Sequence, residues 1–132
     1  MFFKNNDKNL IKIAALLIHA AKIDENYSSK EEKIIEQTIL KIGANKENIK
    51  KIINDGIEME NSSNQILEFT KEVKSLSNEK KIKIVESLWK IIYSNNEADI
   101  YETNLMRRLA GLLYIDSSTM GDIKDRIKKE KL

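Results

Sequence analysis

Apolar residues recur along this chain at intervals of three and four, the period of helices with one face toward a core. No stretch alternates apolar and polar residues long enough for a strand. The pattern predicts an all-α bundle of about seven helices. The first runs from about Asp7 to Ile23 and carries Leu10, Ile13, Ala14, Leu17, Ile18 and Ala21, a stripe wide enough to need neighbours on most sides. Ser28-Ser29-Lys30-Glu31 is a capping box that opens the second, with Ile34, Ile35, Thr38, Ile39 and Ile42 inward and Gly43 as its stop. A third runs from about Lys46 to Met59 under an Asn45 cap, with Ile49, Ile52, Ile53 and Ile57 inward, and a fourth from Ser63 to Lys74 with Ile66, Leu67, Phe69 and Val73. Ser77 or Asn78 caps a fifth that reaches about Tyr93 through Ile82, Val85, Leu88, Trp89 and Ile92. Asp99 with Glu102 repeats the capping box at the head of a sixth, which buries Leu105, Met106, Leu109, Leu112 and Leu113. Asp116, Ser117 or Ser118 opens a basic last helix over 117–130. The connections are a few residues each, so successive helices are expected to pack nearly antiparallel in a single domain over 1–132.

Composition narrows the chemistry. With 132 residues and no Cys, the chain has no disulfides, no Cys-based zinc site and no thiol nucleophile. Its net charge is +2, and basic and acidic side chains are nearly balanced on either side of Ile66, which is no nucleic-acid footprint. The longest apolar run, Ile13 to Ile18, is far short of the roughly 20 residues that span a bilayer. No cleavage site follows the first apolar stretch, so the cytoplasm is the expected compartment.

The segment 11–42 laid over 82–113 superposes the apolar positions. Ile13 falls on Ile84, Ala14 on Val85, Leu17 on Leu88, Ala21 on Ile92, Ile35 on Met106, Thr38 on Leu109 and Ile42 on Leu113. The chain therefore contains two pseudo-repeated helix-loop-helix units. Their loops coincide as well: Asp24, Asn26, Ser28 and Glu31 in one, Asn95, Glu97, Asp99 and Glu102 in the other. Oxygen donors converging from a tight turn are what a hard cation such as Ca²⁺ or Mg²⁺ requires, although the loops lack the length, the central Gly and the terminal Glu of an EF-hand. The same residues serve equally as helix caps and turn formers.

With these motifs the chain resembles the TerB-like family, named for a tellurite-resistance protein. The family's signature is a helix ending Ala-x-x-Asp-Gly, then an apolar residue, an Asp or Ser, and a Glu opening the next helix, present twice. The first copy here is Ala21-Lys22-Ile23-Asp24-Glu25-Asn26-Tyr27-Ser28-Ser29-Lys30-Glu31. The second, from Leu88 through Asn95-Asn96-Glu97-Ala98-Asp99-Ile100-Tyr101-Glu102 to Ala110, is the closer match, and the likeness covers about Leu10 to Ile127. The resemblance implies about seven helices, a divalent-metal site built from the acidic loops, and an association with stress-response systems. Asn95 stands where the family usually has Asp, Ser28 where it often has Asp, and Glu25 and Asn96 replace Gly. Each departure removes charge or backbone freedom, which implies a weakened metal site.

The remaining constellations are expected to be structural. His19 is the only histidine and lies in an apolar context, Trp89 and Tyr93 follow a core stripe, and the carboxylates form no trio with a nucleophile and a base. Lys80-Lys81-Lys83 and Arg126-Lys128-Lys129-Lys131 have the spacing of solvated faces, with contact to an anionic membrane or a nucleic acid as the alternative; Arg107-Arg108 is placed to pair with Glu102, or else with an acidic partner chain. The expected function is a non-enzymatic module that grips a partner protein in a groove between helices. The alternative is weak divalent-cation binding by Asp24, Asn26, Ser28, Glu31, Asn95, Glu97, Asp99 and Glu102.

Overall fold

The structure, a computed structural model, describes residues 5–23, 28–62, 67–94 and 100–131. They form seven helices: α1 (Asn5–Lys22), α2 (Ser29–Ile42), α3 (Ile49–Ser62), α4 (Leu67–Lys74), α5 (Asn78–Tyr93), α6 (Ile100–Leu112) and α7 (Ser117–Lys131), with no strand among the described residues. The all-α expectation therefore holds. Expected starts at Ser63 for α4 and Asp99 for α6 fall on undescribed residues. α3 begins later than its pattern suggested, at Ile49 rather than Lys46, because 46–48 form a turn in which Asn45 Oδ1 accepts the amides of Glu47 and Asn48, both at 3.0 Å.

The wide stripe of α1 has the neighbours it requires. Residues 13–18 are all buried, with Leu10, Ile11, Ala20 and Ala21, and α1 packs against α2, α3, α4 and α5. α3 approaches α1 closely because Gly56 has no side chain. A Cβ built there would lie 2.9 Å from the Ala14 Cβ and 3.3 Å from the Ala15 backbone nitrogen. α7 closes the other side of α5, contributing Met120, Ile123 and Ile127 to the same core.

The repeat is visible as structure. The seven pairs of core positions named above are buried in both copies, and so are Glu31 and Glu102 at the heads of α2 and α6. The correspondence continues past both helix ends. Ala44 N donates to Ile39 O at 3.0 Å and Ile115 N to Ala110 O at 2.9 Å, the same closing bond in each copy. Between the bonded partners sit Gly43 at φ 147° and, at the equivalent place, Tyr114 at φ 57°. The first is the glycine expected to stop α2. The second is an aromatic residue in the left-handed region, where an L side chain is strained.

α2 and α5 run antiparallel and are pinned by polar contacts. Thr38 Oγ1 lies 2.7 Å from Ser87 Oγ and donates to Ile34 O at 2.8 Å, so each hydroxyl of this buried pair has a partner. Near the start of α2, Lys30 Nζ donates to Ser94 O, the C-cap of α5, at 3.5 Å.

Candidate functional site

The segments that carry the candidate cation ligands join α1 to α2 and α5 to α6. The antiparallel α2–α5 pair brings the described ends of both to the same pole of the bundle, where Lys30 meets Ser94. Of the eight residues, Ser28, Glu31 and Glu102 are placed; Asp24, Asn26, Asn95, Glu97 and Asp99 lie outside the described residues. Ser28 and Glu31 form the expected capping box. The Glu31 amide donates to Ser28 Oγ at 3.3 Å, while Glu31 Oε1 accepts from Ser28 N at 3.0 Å and from Ser28 Oγ at 2.9 Å. Glu31 is 1% exposed and Glu102 4%, an unusual environment for carboxylates, which are seldom fully buried without partners. Both have further interactions. Among the described residues, no group of three or more His, Cys, Asp and Glu is arranged to hold a metal ion.

Beside this pole lies an open cleft of about 210 Å³ between α2, α5 and α7, lined by Ile34, Tyr93, Ile127, Lys30, Lys90 and Glu130 among others. Burial, then the charges of Asp125 and Glu102, push the Tyr93 phenol above its ordinary pKa, so it is a proton donor throughout the physiological range. Its ring stacks on Trp89 with centroids 5.9 Å apart, and the Lys124 ammonium lies 5.6 Å from the centre of the Trp89 ring. The buried Trp89 indole nitrogen has no hydrogen-bond partner among the described residues. Packing dominates these aromatics, as their helical spacing suggested.

His19 is partly buried, in keeping with a structural role, with Nδ1 3.5 Å from Glu60 Oε1 of α3; Lys22 holds the other oxygen of the same carboxylate at 2.9 Å. Two other polar placements differ from the sequence reading. Lys81, expected on a solvated face, is 8% exposed. Its ammonium donates to Leu113 O at 3.2 Å, where the carbonyls just beyond α6 face away from any intrahelical partner. Arg107 and Arg108 are exposed, and the described ion pairs include none between either of them and Glu102.

A different surface carries the apolar side chains that packing leaves outside. Leu67 is 46% exposed and Tyr101 and Tyr114 73% each, and all three belong to α4 or to α6 and its C-terminal stop. Single-residue hydropathy does not flag them, because Leu67 belongs to the apolar pattern of α4 and the tyrosines stand outside any stripe. No described helix is long and apolar enough to cross a membrane.

No curated protein and no solved structure matches the chain. The family model described as tellurite resistance protein TerB matches residues 10–125, which contain both copies of the repeat and all but the ends of the outermost helices. Paired buried glutamates, superposed cores and equivalent helix stops thus accompany a match over most of the length, and the chain belongs to the TerB family.

Proposed function

We propose that this chain is a non-enzymatic, cytoplasmic interaction module that binds a partner protein in a stress response. The observation that carries the reading is that the large apolar side chains left exposed among the described residues, Leu67, Tyr101 and Tyr114, all belong to α4, to α6 or to the stop of α6, since large apolar side chains held in water are what a binding surface supplies. TerB membership supports the stress association through the tellurite resistance for which the family is named. The test is in-cell crosslinking of the tagged full chain, before and after tellurite exposure, with identification of adducts by mass spectrometry. A specific partner protein enriched on exposure is expected; background proteins alone in both conditions would overturn the proposal.

A second reading, weak Ca²⁺ or Mg²⁺ binding through Asp24, Asn26, Ser28, Glu31, Asn95, Glu97, Asp99 and Glu102, draws support from the burial of Glu31 and Glu102 at equivalent positions. Addition of each cation to chelator-treated protein, followed by amide NMR, tests it. Saturable shifts confined to 24–31 and 95–102 are expected, whereas no localised shift at millimolar cation refutes cation binding.

A further inference from the structure

α4 is amphipathic in an unusual sense. Phe69, Thr70 and Val73 face the core, while Leu67, Lys71 and Lys74, at i, i+4 and i+7, form a second, exposed row. Together with Glu68, Thr70 and Leu112 of α6, that row lines a groove of about 290 Å³. The facing edge of α6 carries Tyr101, Arg108 and Leu112, which share one side of the helix. Among the described residues neither Lys71, Lys74 nor Arg108 pairs with a carboxylate. At the end of the groove the Lys74 ammonium stands 4.5 Å from the centre of the Tyr114 ring. The groove is thus apolar at its floor, and along its sides the cations Lys71, Lys74 and Arg108 outnumber the one carboxylate, Glu68.

Tyr114 supplies an independent argument. The first repeat closes the equivalent helix stop with Gly43, at a φ of 147° rather than 57°, so a glycine serves this stop in this fold. The second repeat instead holds a strained tyrosine there, and its ring is not buried: it is exposed at the groove's edge. A residue kept in a disfavoured conformation with no burial and only the exposed Lys74 contact in return points to a role outside the fold.

We propose that the α4–α6 groove, with Tyr114 at its edge, docks an acidic amphipathic segment of a partner protein. The inference rests on the interaction-module reading and gives it a surface and a partner chemistry. Apolar side chains of the segment enter between Leu67 and Leu112, its carboxylates meet Lys71, Lys74 and Arg108, and Tyr114 closes over it. The concave shape favours a peptide over an anionic bilayer.

The probe is a synthetic amphipathic helical peptide with leucines on one face and glutamates on the other, alongside analogues with glutamine or lysine in place of glutamate, titrated into the full chain and followed by amide NMR. Shifts confined to 67–74 and 101–114 are expected, with the glutamate peptide about tenfold tighter than the glutamine one and its affinity falling with salt. Lys71→Glu with Lys74→Glu should weaken it about tenfold. Tyr114→Gly should weaken it at least fivefold while the protein becomes no less stable, a combination that a purely structural role would not produce. Equal binding of the lysine peptide, shifts elsewhere, or unchanged affinity in Tyr114→Gly would overturn the proposal, as would binding of phosphatidylglycerol vesicles through this face with no peptide binding. A photo-crosslinking residue at position 67 or at exposed position 37 of α2 separates the two levels of the argument. In-cell adducts from position 37 alone would sink the groove and leave the interaction module standing; adducts from neither would sink both.

Discussion

Gly56 and Gly121 are both interior to helices, yet replacing each by alanine should move stability in opposite directions. Alanine favours a helix interior over glycine by about 1 kcal/mol. At Gly121 of α7 a new Cβ meets nothing within 4 Å, so Gly121→Ala should gain most of that, about 0.5–1 kcal/mol. At Gly56 the new methyl would stand 2.9 Å from the Ala14 Cβ, with the Ala15 backbone at 3.3 Å and Ile18 Cδ1 also at 3.3 Å. Ile18 has a flexible tip, but Ala14 and Ala15 move only if α1 moves, and α1 is held by four other helices. Overpacking of this kind costs about 1–3 kcal/mol, which offsets the propensity gain and leaves a net loss of up to about 2 kcal/mol. The two variants should then differ by about 0.5–3 kcal/mol, and at a urea m-value of about 2 kcal/mol/M their midpoints should lie about 0.3–1.5 M apart. Urea unfolding followed by circular dichroism, with equal m-values as the control, measures this. A Gly56→Ala protein as stable as Gly121→Ala would refute the close α1–α3 approach.

Lys81→Met keeps the length of the side chain but leaves the Leu113 carbonyl without its donor, and a loss of about 1 kcal/mol in urea unfolding is expected once relief of the lysine's desolvation is allowed for; unchanged stability would count against the contact. Tyr114→Gly removes left-handed strain worth about 1–2 kcal/mol and the Lys74 cation–π contact worth about 0.5–1 kcal/mol, so thermal unfolding should rise or hold level; a clear fall would show that the ring stabilises the fold. Asp116 caps α7 by accepting the Thr119 amide and the Ser118 hydroxyl, which lowers its pKa from 3.8. Its contribution to stability is therefore present above that value and lost as pH falls through the lower folded one; a carboxyl NMR titration with a midpoint at or above 3.8 would contradict the cap.

Local chemistry made much of this molecule legible in advance. Ser28, Asn45, Ser77 and Asp116 accept amides where they precede a helix pattern, because a cap's partner is two or three positions away. The internal repeat was legible for a related reason: superposed periodicities require no knowledge of packing. Lys81 looked like its neighbours Lys80 and Lys83, and only the arrival of α6 above it distinguishes a capping ammonium from a solvated one. The Glu60 partner of His19 comes from another helix with two turns and α2 between them in the chain, and the cations of the groove come from two helices that share no motif. Tyr114 was the least legible, since its conformation belongs to glycine. The candidate ligands were chosen by type and spacing alone, and five of the eight fall outside the described residues.

The central position of α1 also bears on biosynthesis. α1 is made before every helix that covers it, and the last of those, α5, is complete only at Tyr93. At about 5–20 residues per second, its most hydrophobic stripe waits roughly 4–14 s on the ribosome for a complete set of partners. An unprotected surface of that kind is what chaperones recognise, so the helix that anchors the finished fold is the one most exposed to capture or aggregation while the chain is being made.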